Sequence, residues 1–124
     1  MRNVLITGAS TGLGLVITKA LLKEQGIRIF ATARKDSMGR FSNAGLKESD
    51  RLYFKELEIC NLIEADRVVQ EIDEKFGGVD ILINNAGISY RSVVEHMTPE
   101  TELHQMQVNY LGPIHLIRCV LPSM

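Results

Sequence analysis

The sequence is poor in cysteine. Only Cys60 and Cys119 occur in 124 residues, far apart and in apolar surroundings. A disulfide framework or a cysteine-rich zinc site needs more thiols at closer spacing, so both are expected as reduced thiols of a cytoplasmic protein with no metal. Charge of one sign is also lacking: 14 Lys and Arg against 15 Asp and Glu leave a formal net charge of −1. Such a balance offers no attraction to a phosphate backbone or an anionic bilayer, so neither nucleic acid nor membrane is expected as a partner. No apolar run is long enough to span a membrane, and Val4-Leu5-Ile6 is too short for the core of a signal peptide. Repeats and low-complexity stretches are missing. What remains, 45% hydrophobic and 23% charged residues, suits one domain with a real core and excludes a disordered tail or a coiled coil.

The order of elements follows from hydrophobic periodicity. Val4-Leu5-Ile6 is wholly apolar and ends at Thr7-Gly8, as expected for a strand buried on both faces. Leu13, Val16, Ile17, Ala20 and Leu21 recur at helical offsets before Gly26. Ile27 to Ala33 reads as a second strand, and Arg34 to Asp50 as either a short helix or a loop. Leu52 to Ile59 reads as a third strand. Asn61 is placed to cap a helix carrying Leu62, Ala65, Val69, Ile72 and Phe76, which Gly77-Gly78 ends. Val79 to Ile83 is a fourth strand leading into Asn84-Asn85-Ala86-Gly87. Thr98-Pro99 starts a long last helix whose apolar face is read as Leu103, Met106, Tyr110, Ile114, Ile117 and Leu121. Strands alternating with helices predict an α/β fold, a Rossmann-like doubly wound parallel sheet of order 3-2-1-4 with helices on both faces. Residues 1–124 would form the N-terminal half of such a domain. The chain stops where a fifth strand is expected, which leaves the Ile81-Leu82-Ile83 edge open.

Thr7-Gly8-Ala9-Ser10-Thr11-Gly12-Leu13-Gly14 lies between the first strand and the first helix. A loop of this kind lets backbone N–H groups approach a pyrophosphate at a helix N-terminus, with Ser10 and Thr11 as further donors. The spacing departs from G-x-G-x-x-G, and a plain strand-to-helix turn is the alternative.

The segment TGxxxGxG at 7–14, together with NNAG at 84–87, resembles the short-chain dehydrogenase/reductase family. Gly78 to Ile83 and Asn109 within Val108-Asn109-Tyr110 add to the resemblance, which runs from residue 3 to the end. It implies a nicotinamide dinucleotide held by Gly8, Ser10, Thr11, Gly12, Leu13 and Gly14, with Asn85, Ala86 and Gly87 closing over it. It further implies that Asn84 ties the fourth strand to Thr7. The position after the second strand where NAD-binding chains carry an acid is Ala33 here, followed by Arg34 and Lys35. A guanidinium suits a 2′-phosphate, so NADP is favoured over NAD. Glu58 and Ile59 stand where similar sequences contact adenine.

Asn109 is the one catalytic residue the resemblance implies, its backbone oxygen holding a water in a proton relay. Pro113 would clash with the carbonyl four residues back, so a kink at Asn109 is expected. The family's Ser and Tyr-x-x-x-Lys are absent: four residues after Tyr53, Tyr90 and Tyr110 stand Leu57, Val94 and Ile114. His96, His104 and His115 lack an i, i+4 pairing or a carboxylate at ligand spacing and are read as surface or core side chains. Ser89, Tyr90 and Arg91 are candidate edges of a substrate pocket. Two functions stay open. One is the cofactor-binding half of an oxidoreductase that moves hydride between nicotinamide and an alcohol or carbonyl substrate, which would not turn over alone. The other is a non-catalytic nucleotide-binding subunit. A homo-oligomer or complementation by another chain is the expected assembly.

Overall fold

Val4, Leu5 and Ile6 are each at most 1% exposed, and a computed structural model, describing residues 1–124, places them on the inner strand β1 (Arg2–Ile6). Beside it run β2 (Ile27–Ala33), β3 (Leu52–Glu56) and β4 (Ile81–Ile83), all parallel, in the order β3-β2-β1-β4. This is the expected order. Both outer strands are shorter than the sequence predicts. Leu57 still donates its N–H to Ala33, and Asp80 to Asn3, but neither residue continues a ladder.

Side chains alternate across the pleat, so each strand feeds two cores. Ile6, Ile29, Ala31 and Leu52 face the side covered by α1 (Gly12–Leu22) and by the short α2 (Gly39–Asn43) with its buried Phe41. Leu5 and Phe30 face the side covered by α3 (Leu62–Phe76) and α5 (Gly112–Val120). Helices on both faces complete the doubly wound arrangement. The 34–50 stretch resolves into a 3₁₀ turn over Lys35–Ser37 followed by α2. No helix is long and apolar enough to cross a membrane.

Local chemistry sets the boundaries. Asn61 caps α3, its side-chain oxygen accepting the Glu64 N–H at 3.0 Å, and Gly77 ends the helix with φ +85, a conformation costly to any side chain. The buried Asn3 locks the start of β1 to this exit, its Nδ2 donating to the carbonyls of Phe76 and Gly78. Lys55 on β3 reaches Glu71 on α3 at 2.6 Å and holds its carboxyl below the usual range. The stability from that pair is therefore present above the ordinary carboxylate range and is lost as pH falls through the lowered value.

The last helix differs from expectation. It breaks into α4 (Pro99–Met106), a π-helical segment over Gln107–Leu111, and α5. The proline kink takes the form of a widened turn, in which Gly112 donates its N–H to Gln107, five residues back. The face turned to the core is Val108, Gly112, Leu116 and Val120. Of the predicted row, Leu103, Met106, Tyr110, Ile117 and Leu121 are exposed. Gly112 explains the choice: a Cβ there would lie 2.6 Å from the Ile59 carbonyl oxygen, so only this row can approach so closely. The same holds for α1, where Gly14 and Thr18 are buried while Leu13 and Val16 face solvent.

Candidate functional site

Strand order reverses between β1 and β4, and in such sheets the crevice beyond the strand ends at that point is where ligands sit. A cleft of about 350 Å³ opens there. Thr7, Gly8, Ser10, Thr11 and Leu13 form one wall, and Asn85, Ala86, Gly87 and Ile88 the opposite one. Leu57, Glu58 and Ile59 line it from the end of β3, and Arg34, Ser37 and Arg40 stand beyond β2. Segments far apart in sequence thus converge beyond the ends of parallel strands, and Thr7 and Ala86, 79 residues apart, are bonded directly.

The two walls are joined by a hydrogen-bonded lock. Thr7 Oγ1 accepts the N–H groups of Asn85 (3.1 Å) and Ala86 (3.0 Å), while Asn85 Nδ2 donates to the carbonyls of Thr7 and Gly8. The tie expected of Asn84 falls to Asn85, since Asn84 is exposed and makes no such bond. The register decides it. Ile83 pairs with Ile6 and accepts the Thr7 N–H, so the next side chain able to reach back across β1 is that of Asn85.

Glycine is required where the walls meet. Gly8 has φ +62, and a Cβ on it would lie 2.9 Å from Ala86 Cα. On Gly14 a Cβ would lie 2.2 Å from the Gly8 oxygen and 2.5 Å from Asn85 Nδ2. Gly14 is therefore the point where α1 presses on the loop. Neither Gly12 nor Gly14 lines the cleft, and both act through the shape of the turn. Thr11 stands at the N-cap of α1 with no side-chain cap bond, and Ser10, 6% exposed, lines the cleft.

Lys35 does not line the cleft; it lines an adjoining surface hollow with Asp36, Glu56 and Glu64, and Arg34 and Glu58 border both. Ser37, which the sequence does not single out, does line it, and so does Arg40, which reads from sequence as part of a solvated basic turn, because the 3₁₀ turn folds α2 back toward the strand ends. Their signal was the polar stretch left undecided between helix and loop. Ser89, Tyr90 and Arg91 do not line the cleft either, whereas His104 on α4 does. Asn109 is held through its side chain, a contact additional to the role expected of its backbone oxygen. Its side chain pairs with one residue in both directions, Nδ2 donating to the Ile88 carbonyl at 2.7 Å and Oδ1 accepting the Ile88 N–H at 2.9 Å. The π-helical turn thereby pins the loop after β4, which Gln105 also holds through the Tyr90 N–H.

A nicotinamide dinucleotide fits this set of residues. Gly8, Ser10, Thr11 and Leu13 of the glycine loop line the cleft, and the strand position that would bear an acid is the buried Ala33. Two guanidinium groups, Arg34 and Arg40, stand at the same end of the cleft.

Away from the cleft, the expectation that no histidine has a carboxylate partner is overturned. His115 Nε2 lies 2.8 Å from Asp66 Oδ1, and the Cys119 thiol lies 3.1 Å from the same oxygen. Burial, and then the Asp66 hydrogen bond, push the Cys119 thiol up to about 12, while the bonds from Cys119 and His115 hold the Asp66 carboxyl below its usual range. The contact spans 49 residues of sequence, out of reach of any local spacing.

Comparison with known proteins places these features in a group. The family model described as short chain dehydrogenase matches residues 2–124. A 3-ketodihydrosphingosine reductase of Bacteroides thetaiotaomicron is 36% identical over 121 residues, covering 98% of this chain and 41% of its own length. Among solved structures, a short-chain dehydrogenase from Streptomyces avermitilis superposes with a TM-score of 0.89 at 28% identity, covering 98% of this chain and 45% of that one. An NADPH-bound carbonyl reductase from chicken fatty liver superposes with a TM-score of 0.88 at 26% identity, covering 99% and 48%. The chain spans less than half the length of each.

Proposed function

This chain belongs to the short chain dehydrogenase family, and from that premise we propose that it is the NADP-binding half of an alcohol or carbonyl oxidoreductase. The observation that carries the cofactor choice is the cleft end beyond β2, lined by Arg34 and Arg40 with Ala33 in place of an acid. A bound nicotinamide would supply or take the hydride at the carbonyl carbon. The chain's own residues hold and orient it. Gly8 and the Ser10–Leu13 turn present backbone N–H groups to the pyrophosphate, Glu58 and Ile59 flank the adenine, and Asn85, Ala86 and Gly87 close the opposite wall. Asn109 fixes the loop over the nicotinamide end through Ile88, and its backbone would place a relay water. The alcohol or carbonyl specificity is supported by relatives named as a carbonyl reductase and a ketodihydrosphingosine reductase. With both cysteines free, the cytoplasm is the proposed setting.

The test is titration of the purified chain with NADPH and NADH by fluorescence. NADPH is expected to bind more tightly, and Arg34→Ala to weaken NADPH by about 10- to 100-fold while changing NADH less than about threefold, as loss of a charge-assisted bond to phosphate dictates. Equal losses for both cofactors would refute the assignment of Arg34 to the 2′-phosphate. No ketone should be reduced by this chain alone, because no Tyr-x-x-x-Lys unit is in it.

One observation favours the second reading, a nucleotide-binding subunit that pairs with another chain. Leu103, Met106, Tyr110, Leu111, Ile117 and Leu121 are exposed along α4 and α5, an apolar row of the kind that marks contact surfaces. Sedimentation at increasing concentration should show dimers or larger species, and Tyr110→Glu with Ile117→Glu should return the chain to monomer. A monomer at every concentration would remove this support.

A further inference from the structure

One cluster of side chains has no part in the cleft. Asp66 lies on the second turn of α3, and His115 and Cys119 sit one turn apart on the same side of α5. Asp66 Oδ1 is 2.8 Å from His115 Nε2 and 3.1 Å from Cys119 Sγ, and the last two are 3.4 Å apart. A carboxylate oxygen, an imidazole nitrogen and a sulfur therefore form a closed triangle at the seam between two helices. A single interhelical hydrogen bond would need two of these groups, and here a third donor of different chemistry converges on the same oxygen.

The geometry points to a zinc-type divalent cation site at the α3–α5 seam, with Asp66, His115 and Cys119 as protein ligands and solvent in the fourth position. Tetrahedral zinc with bonds of about 2.0–2.3 Å would hold its ligand atoms roughly 3.5 Å apart. The sulfur–nitrogen distance already meets that value. The carboxylate must retract by about 0.5 Å to match tetrahedral spacing, and Asp66, 59% exposed, is free to turn. Thiolate and imidazole together select zinc, cobalt or cadmium over magnesium and calcium, which take oxygen ligands. On binding, the Cys119 thiol gives its proton to solvent as the sulfur–metal bond forms, and no group changes oxidation state. Such an ion would staple α3 to α5, which already share a core through Val69, Leu116 and Val120. None of the three ligands lines the cleft, so the role would be structural and independent of the proposed cofactor.

The test uses the full chain, freed of metal in the presence of a non-thiol reductant, with Co²⁺ as the first probe and Zn²⁺ as competitor. One equivalent of cobalt should bind with a thiolate-to-metal charge-transfer band, displaced by zinc. Saturating zinc should raise the thermal midpoint by about 5 °C. Cys119→Ser should abolish the band and Cys60→Ser keep it. Asp66→Ala, an exposed change that leaves the far-ultraviolet circular dichroism unaltered, should weaken zinc by about 100-fold or more, beyond the cost of losing an outer-shell partner. The site is overturned by the lack of a charge-transfer band at millimolar cobalt, by a band that survives Cys119→Ser or vanishes with Cys60→Ser, or by unchanged zinc affinity in Asp66→Ala.

Discussion

Gly14→Ala should cost about 3 kcal/mol or more of folding stability, the upper end for forcing extra atoms into a packed site, and should reduce dinucleotide binding at least about 100-fold. The added methyl would sit 2.2 Å from the Gly8 oxygen, 2.5 Å from Asn85 Nδ2 and 2.9 Å from the Gly8 carbonyl carbon. Two of these are backbone atoms, so no rotamer change relieves the contact. Either α1 moves outward or the 8–12 loop opens, and both displace the N–H groups that would face a pyrophosphate. Gly12→Ala is the matched control. Gly12 has φ +55 but nothing within 4 Å of its absent Cβ, so only backbone strain of roughly 1–2 kcal/mol applies. Thermal unfolding and NADPH titration of the two variants should rank Gly14→Ala well below Gly12→Ala. The reverse order would show that loop conformation, rather than the packing of helix on loop, limits this site.

Thr7→Val is the second large effect. Valine matches threonine in shape but cannot accept the N–H groups of Asn85 and Ala86, which now reach Thr7 Oγ1 at 3.1 and 3.0 Å. Thr7 is only 2% exposed, so water cannot readily replace the lost oxygen. Each unpaired donor costs about 1–3 kcal/mol, giving a combined loss of about 2–6 kcal/mol and a fall in thermal midpoint of about 10 °C or more. Thr7→Ser restores the oxygen and should recover most of the loss. If serine and valine behave alike, the hydroxyl is not what joins β1 to β4. The same pair of variants reports on the site, because the lock holds the glycine loop against the Asn85–Ala86 segment and both line the cleft.

The fold was largely legible in the residue order. Val4-Leu5-Ile6 has no polar alternate residue, so it reads as a doubly covered strand, and it proves to be an inner one. Asn61 and Gly77-Gly78 bound α3 through chemistry that acts within a few residues, the range over which sequence is informative. Of the thirteen positions expected to hold the dinucleotide, Gly8, Ser10, Thr11, Leu13, Arg34, Glu58, Ile59, Asn85, Ala86 and Gly87 do line one cleft. Gly12 and Gly14 shape the turn from outside it, and Lys35 lines the adjoining hollow.

What the sequence determined by itself is what depends on short-range spacing: strands alternating with helices, the helix caps, the glycine loop, and the basic pair where an acid would stand. The tertiary structure decided everything that depends on a choice between equivalent neighbours. On α5, Ile114-Ile117-Leu121 and Gly112-Leu116-Val120 both have helical spacing, and the close approach of Gly112 to the Ile59 carbonyl selects the row that faces the sheet. In Asn84-Asn85, identical side chains occupy adjacent positions just beyond β4, and the register of β4 against β1 selects Asn85 to reach Thr7. Asp66, His115 and Cys119 meet because α3 and α5 pack on one face of the sheet, bringing together groups up to 53 residues apart. Periodicity specifies that a face exists; packing, which is sensitive to a single Cβ, specifies which face is used and what it meets.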